Sequence, residues 1–219
     1  SKRGEGKDAD DEPQLYLIAA HGGEARRVGS VATGVSALRW FPDSRRLAFV
    51  SWVWPELATG AEQAKRYKAE HDDKVKATVV EHNHYRYWDH WFARGRKPHI
   101  HSIDTRSGKV QDLFAGTPLH LPPAEPDATL FDISPDGKEM VFTFDSNPDP
   151  RDFSYTDLVA MDVSTRKWRT LTARSKAQAG VAWECPRYSP DGRWIALLGT
   201  DYGKQHNEQA RAWLLERKT

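Results

Sequence analysis

Three stretches of this 219-residue sequence repeat one pattern, and an internal repeat constrains a fold more than any single motif does. They read Trp40-Phe41-Pro42-Asp43-Ser44-Arg45-Arg46-Leu47-Ala48-Phe49, Ile133-Ser134-Pro135-Asp136-Gly137-Lys138-Glu139-Met140-Val141-Phe142 and Tyr188-Ser189-Pro190-Asp191-Gly192-Arg193-Trp194-Ile195-Ala196-Leu197. Each runs from an apolar strand end through Pro-Asp and a Gly or Ser to a basic residue and a second apolar strand. Asp-Gly between apolar runs supplies the positive φ of a tight hairpin. The proline before it stops the incoming strand, because it cannot donate to a central ladder.

A second kind of hairpin alternates with the first. Leu15 to Ala20 turns through His21-Gly22-Gly23-Glu24 into Ala25 to Val28. His99 to Asp104 turns into Val110 to Leu113, and Asp157 to Val163 turns into Trp168 to Thr172. Ala212 to Thr219 reads as the start of a further copy. Two hairpins in tandem make a four-stranded antiparallel unit, which is one blade of a β-propeller. The expected fold class is therefore all-β: a partial propeller with about three to four blades' worth of strands and a partly helical insertion. A single β-sandwich is the alternative, but it leaves the alternation of two hairpin types unexplained.

The Pro-Asp pairs at 135 and 190 lie 55 residues apart, whereas those at 42 and 135 lie 93 apart. The excess is an insertion of roughly 40 residues relative to the repeat. It is placed at 54–97, between blade halves. The domain reading is a flexible N-terminal segment, 1–13, followed by a propeller fragment, 14–219. Further blades are expected outside these residues, since a propeller closes with about four to eight.

Within the insertion, Thr59-Gly60-Ala61-Glu62 has the capping-box spacing and predicts a surface helix over 61–70. The segment from His82 to Arg96 follows, with Tyr85, Tyr87, Trp88, Trp91 and Phe92 interleaved with Arg, Asp and His. Three readings stay open. It is an amphipathic cover on the blade edge, a ligand-facing wall, or a metal site using His82 with His84 and His99 with His101. No acidic or sulfur ligand completes a metal spacing, so neither metal nor cofactor is expected. Glu81, Arg86, Trp88, Asp89 and Trp91 are the candidates for substrate or interdomain contact. Carboxylates suit an amine and Arg86 suits a carboxylate or carbonyl.

Composition narrows the classes. Thirty-two basic against 31 acidic residues give a formal charge of +1, without the basic excess of a nucleic-acid binder. No apolar run has membrane-spanning length, so no membrane partner is expected. Residues 1–13 have neither signal-peptide nor transit-peptide character. The single cysteine, Cys185, excludes an internal disulfide and reads as a small buried hydrophobe rather than a catalytic thiol. It does not fix the compartment; a cytoplasmic location is favoured over a periplasmic one.

Phe131-Asp132-Ile133-Ser134-Pro135-Asp136-Gly137-Lys138-Glu139 resembles blades of the prolyl oligopeptidase family of serine peptidases, in its bacterial dipeptidyl-peptidase and acylaminoacyl-peptidase-like branch. Gln14 to Ile18 with Gly22 to Arg26, Tyr85 to Trp91 and Gly180 to Trp183 add to the resemblance. It covers most of residues 14–219. The Pro-Asp-Gly hairpins are shared with TolB-like propellers; the aromatic insertion sharpens the match. The resemblance implies a non-catalytic propeller that gates and positions short peptides for a C-terminal α/β-hydrolase domain of the same polypeptide. Homo-oligomers are compatible with it. The catalytic triad would lie in that other domain. The sequence has no Gly-x-Ser-x-Gly elbow: Gly34-Val35-Ser36-Ala37-Leu38 comes nearest but lacks the second glycine. An adjacent Glu-Glu pair, which some dipeptidyl peptidases use to hold an amino terminus, is also absent. The rival function is a TolB-like or WD-type platform for a protein or peptide, and a sugar-binding propeller ranks behind both.

Overall fold

The computed structural model describes residues 1–3, 10–75, 77, 86–88, 90–92, 95–146, 156–172, 181–202 and 209–217. The strands are β1 (Tyr16–Leu17), β2 (Arg26–Arg27), β3 (Ser36–Trp40) and β4 (Arg46–Val53), then helix α1 (Gly60–Asp72). Next come β5 (Arg86–Tyr87), β6 (His90–Trp91), β7 (Lys97–Asp104), β8 (Val110–Asp112) and β9 (Phe131–Ile133). The last are β10 (Glu139–Asp145), β11 (Thr156–Asp162), β12 (Trp168–Thr170), β13 (Val181–Tyr188), β14 (Trp194–Asp201) and β15 (Arg211–Glu216).

These strands pair as the repeats predict. The sheets are β1-β2, then β3-β4-β7-β8, then β9-β10-β11-β12, then β13-β14-β15, all antiparallel. Each four-stranded sheet joins one Pro-Asp hairpin to one hairpin of the second kind. The fold is a row of propeller blades.

Successive sheets stack face to face, and their strands alternate between two cores. Ala48 and Val50 of β4, with Ile100 of β7, meet Met140 and Phe142 of β10 and Val159 and Met161 of β11. Leu47, Phe49 and Ile103, on the opposite face, pack against Leu15 and Val28 beside β1 and β2. Leu158 turns the other way from its neighbour Val159 and joins Trp183 and Leu197 of the last sheet. A strand buried on both faces reads as a continuous apolar run, which is why β10 and β11 show little alternation.

The hairpins carry a second joint. A side chain at Gly137 would lie 3.5 Å from Pro42, and one at Gly192 would lie 3.6 Å from Pro135. Each hairpin glycine thus rests on the proline of the preceding blade. Only the glycine position takes positive φ, at 68° and 70°. Gly137 N–H donates to Ser134 O at 2.8 Å, a type I turn ending in a left-handed residue, not the turn with two positive φ angles that Asp-Gly alone suggests.

The insertion leaves from Val53 and returns at Lys97, and these two residues are paired neighbours in the register of β4 and β7. Helix α1 begins as the spacing predicts. Thr59 Oγ1 accepts from Glu62 N–H at 3.2 Å, and the Glu62 carboxylate accepts from Thr59 N–H at 2.9 Å. Its one buried side chain is Gln63, whose amide donates to Trp54 O at 2.8 Å and accepts from Trp54 N–H at 3.1 Å. β5 and β6 form a separate two-stranded ribbon. Cys185 sits half-buried at φ 54° in a bulge of β13, unpaired by any disulfide. Among the described residues no helix is long and apolar enough to cross a membrane.

Candidate functional site

The blade ends where β4 finishes and β7 begins carry a cleft of about 410 Å³. Three aromatic side chains from two segments line it: Trp52 from β4, and Trp91 of β6 with Phe92 next to it. Ser36 at the start of β3, Arg96 before β7 and residues 123–127 between β8 and β9 complete the wall. Trp91 is 66% exposed, a large apolar surface left in water.

Local chemistry fixes most of this wall. Residues 122–127 run Pro-Pro-Ala-Glu-Pro-Asp, whose three prolines lock φ and remove three donors. Asp127 then closes a turn by accepting from Thr129 N–H at 2.7 Å. Two arginines hold the next residues from the blades on either side. Arg39 of β3 donates to Ala128 O at 2.7 Å and pairs with Asp132 at 3.1 Å. Arg187 of β13 donates to Ala128 O at 3.3 Å and Thr129 O at 3.0 Å. The wall is therefore pre-organised.

Arg96 lies with its guanidinium 5.4 Å from the ring centre of the buried Trp54, and Arg66 of α1 lies 5.5 Å from the same ring. The Arg96 Nε is buried and no described group accepts from it. One cation and the two carboxylate residues Glu125 and Asp127 thus edge an aromatic cleft. Such a site can bind an apolar side chain and orient charged or polar groups beside it. Ser36 offers no nucleophile elbow: it begins a strand, its hydroxyl faces Val50 O at 3.4 Å, and no histidine is among the described lining.

Of the residues expected at a site, Trp91 lines the cleft. Arg86 is its register partner in the ribbon and is exposed, but is not part of the described lining. Trp88 occupies the ribbon's turn at φ 51° and is 78% exposed, outside that lining. Glu81 and Asp89 lie outside the described residues, as do His82 and His84. His99 and His101 do share a face, but among the described residues no group of three or more potential ligands gathers for a metal. Sequence reading missed Ser36, Trp52, Arg96 and the 123–127 wall. The proline run was the signal for that wall, and Arg96 closes the aromatic segment already read as a possible ligand-facing wall; nothing local marks Ser36 or Trp52 as cleft residues.

The fold is that of β-propeller blades, with an aromatic cleft at an insertion. No family model matches the sequence. The chain is similar to the uncharacterized peptidase YuxL of Bacillus subtilis (strain 168), at 29% identity over 133 residues, which is 61% of this chain and 18% of that protein. Its fold matches an acylaminoacyl peptidase solved with Z-Gly-Gly-Phe-chloromethyl ketone, with a TM-score of 0.60 at 16% identity over 94% of this chain and 27% of the other. It also matches the Pyrococcus horikoshii acylaminoacyl peptidase, with a TM-score of 0.58 at 18% identity over 92% and 27%. The peptidase-type propeller read from the sequence is borne out at this level, by similarity to a curated peptidase and by a shared fold. The chain spans about a fifth of the length of that curated relative.

Proposed function

We propose that this chain is the non-catalytic propeller part of a serine peptidase, gating and positioning short peptides for an α/β-hydrolase domain of the same polypeptide. The aromatic cleft carries the reading: exposed Trp91 opposite a rigid proline-walled loop, in a chain similar to a peptidase. Rings there take a substrate's apolar side chain, while Arg96, Glu125 and Asp127 meet its polar groups. With Trp91, residues Arg86, Trp88, Glu81 and Asp89 are the proposed candidates for substrate or interdomain contact.

The test uses the full-length protein. A fluorophosphonate label should attach to a serine outside these 219 residues. Trp91→Ala should lower kcat/KM for short peptides by about tenfold, a loss of about 1.4 kcal/mol, with thermal stability unchanged. Absence of labelling on the folded protein would replace this reading with a TolB-like or WD-type binding platform. Unchanged kinetics with a lowered melting temperature would reduce Trp91 to packing.

A further inference from the structure

Behind the start of α1 lies a cavity of about 270 Å³ that the peptide reading does not use. Val53, Leu57 and Val110 give it apolar sides, and His101 and Asp112 its polar floor. Through Ser30, Val31, Ala32 and Ala64 it adjoins a wider cleft of about 660 Å³. There the carboxylates of Asp10, Asp11, Glu12 and Asp72 outnumber the cations of Arg27 and Lys68.

His101 and Asp112 present two facing acceptors, in a lining that also carries Ser30, Thr33, Thr59 and Gln63. The His101 side chain is only 7% exposed and stacks on Phe49 with ring centres 5.2 Å apart. Its Nδ1 lies 3.2 Å from the His99 carbonyl oxygen, which only accepts, so Nδ1 carries the proton. Burial pushes the His101 pKa down, against the pull of Asp112, so the ring is neutral at neutral pH and Nε2 is a bare acceptor. Nε2 faces Asp112 Oδ2 across 3.9 Å. That carboxylate already accepts from His99 Nδ1 at 2.9 Å and Phe114 N–H at 2.8 Å. No described residue donates to Nε2.

A nitrogen ~2.8 Å from each acceptor would subtend an angle of about 90°, within about 20° of the angle between two N–H bonds of an ammonium and so within hydrogen-bond tolerance. Water could also bridge the pair. The carboxylate, the acidic approach and the apolar sides favour a cation on a short alkyl stem over water. We propose that this cavity is a binding site for a small primary alkylammonium, its nitrogen bridging His101 Nε2 and Asp112 Oδ2 and its stem lying along Val53, Leu57 and Val110. The inference stands apart from the peptidase reading, because it uses no residue of the aromatic cleft.

Titration calorimetry of the full-length protein with n-butylammonium at neutral pH tests it, with n-butanol and n-butyrate as controls. Saturable binding of n-butylammonium is expected, at least tenfold tighter than n-butanol and with none for n-butyrate. Asp112→Asn should weaken it at least tenfold. Asp112 also holds two other donors, so Ala64→Phe, which blocks the neck and removes no acceptor, supplies the second variant and should weaken binding equally. Equal affinity for n-butanol, undiminished binding in Ala64→Phe, or no saturable binding at all would overturn the proposal, the last leaving only water at the site.

Discussion

Ser44 occupies the position that glycine holds in the other two Pro-Asp hairpins, and its φ of 53° matches their 68° and 70°. A side chain in left-handed backbone costs roughly 1–2 kcal/mol, so Ser44→Gly should stabilise the protein by about 1 kcal/mol in equilibrium denaturation. The same substitution logic explains why the repeat was readable: Pro, Asp and Gly are each demanded by a backbone angle or a missing donor. Residue chemistry at Tyr67 was not readable in that way. Burial, and then a 2.8 Å hydrogen bond to Glu12, push its hydroxyl up to about 12. The raised value favours the neutral phenol in the folded protein. Its contribution to stability is complete below pH ~10, where the unfolded phenol ionises, and is lost as pH rises through about 12. Tyr67→Phe should flatten the decline of stability across that window, measured by denaturation at a series of alkaline pH values.

At the scale of elements, α1 shows what periodicity leaves out. Its capping box and composition announce a helix, yet it has no apolar stripe to say where it docks. It docks through Gln63, whose amide closes both backbone groups of Trp54 and accepts a place beneath the helix that an apolar residue would usually take. Gln63→Ala should therefore cost about 2 kcal/mol, for the loss of two hydrogen bonds to Trp54 at about 1 kcal/mol each, and hydrogen exchange should show α1 opening first. The cleft was legible only in part for the same reason. The aromatic run flagged Trp91, but Trp52 is one strand residue among several and Arg96 precedes a strand. What makes them lining residues is the meeting of three segments that sequence spacing does not relate.

Across the whole molecule, blades are joined by charge as well as by apolar faces. Glu139 of β10 accepts from Arg169 of its own blade at 2.8 Å, and from Tyr188 at 2.7 Å and Arg217 at 3.0 Å in the next. Burial and this carboxylate push the Tyr188 hydroxyl pKa far up, keeping it a donor at all ordinary pH. Glu139→Ala removes the nearer of the two carboxylates that hold the nearly buried Arg217, leaving Asp136 at 3.4 Å. It should cost about 2–3 kcal/mol, more than Glu139→Gln, in denaturation of the full-length protein. The four sheets themselves were legible because each blade repeats the same local demands. The charge joints were not, because a glutamate after Pro-Asp-Gly-Lys reads as one more exposed charge.

The register of Val53 with Lys97 places both ends of the insertion side by side at a hairpin tip. A segment grafted at such a point costs the blade little more than the closure of a longer loop. Its helix, ribbon and aromatic wall can be lengthened, shortened or exchanged between lineages while every blade-to-blade joint stays as it is. Under the proposed function, selectivity would lie in a part that can change while the blades that carry it do not.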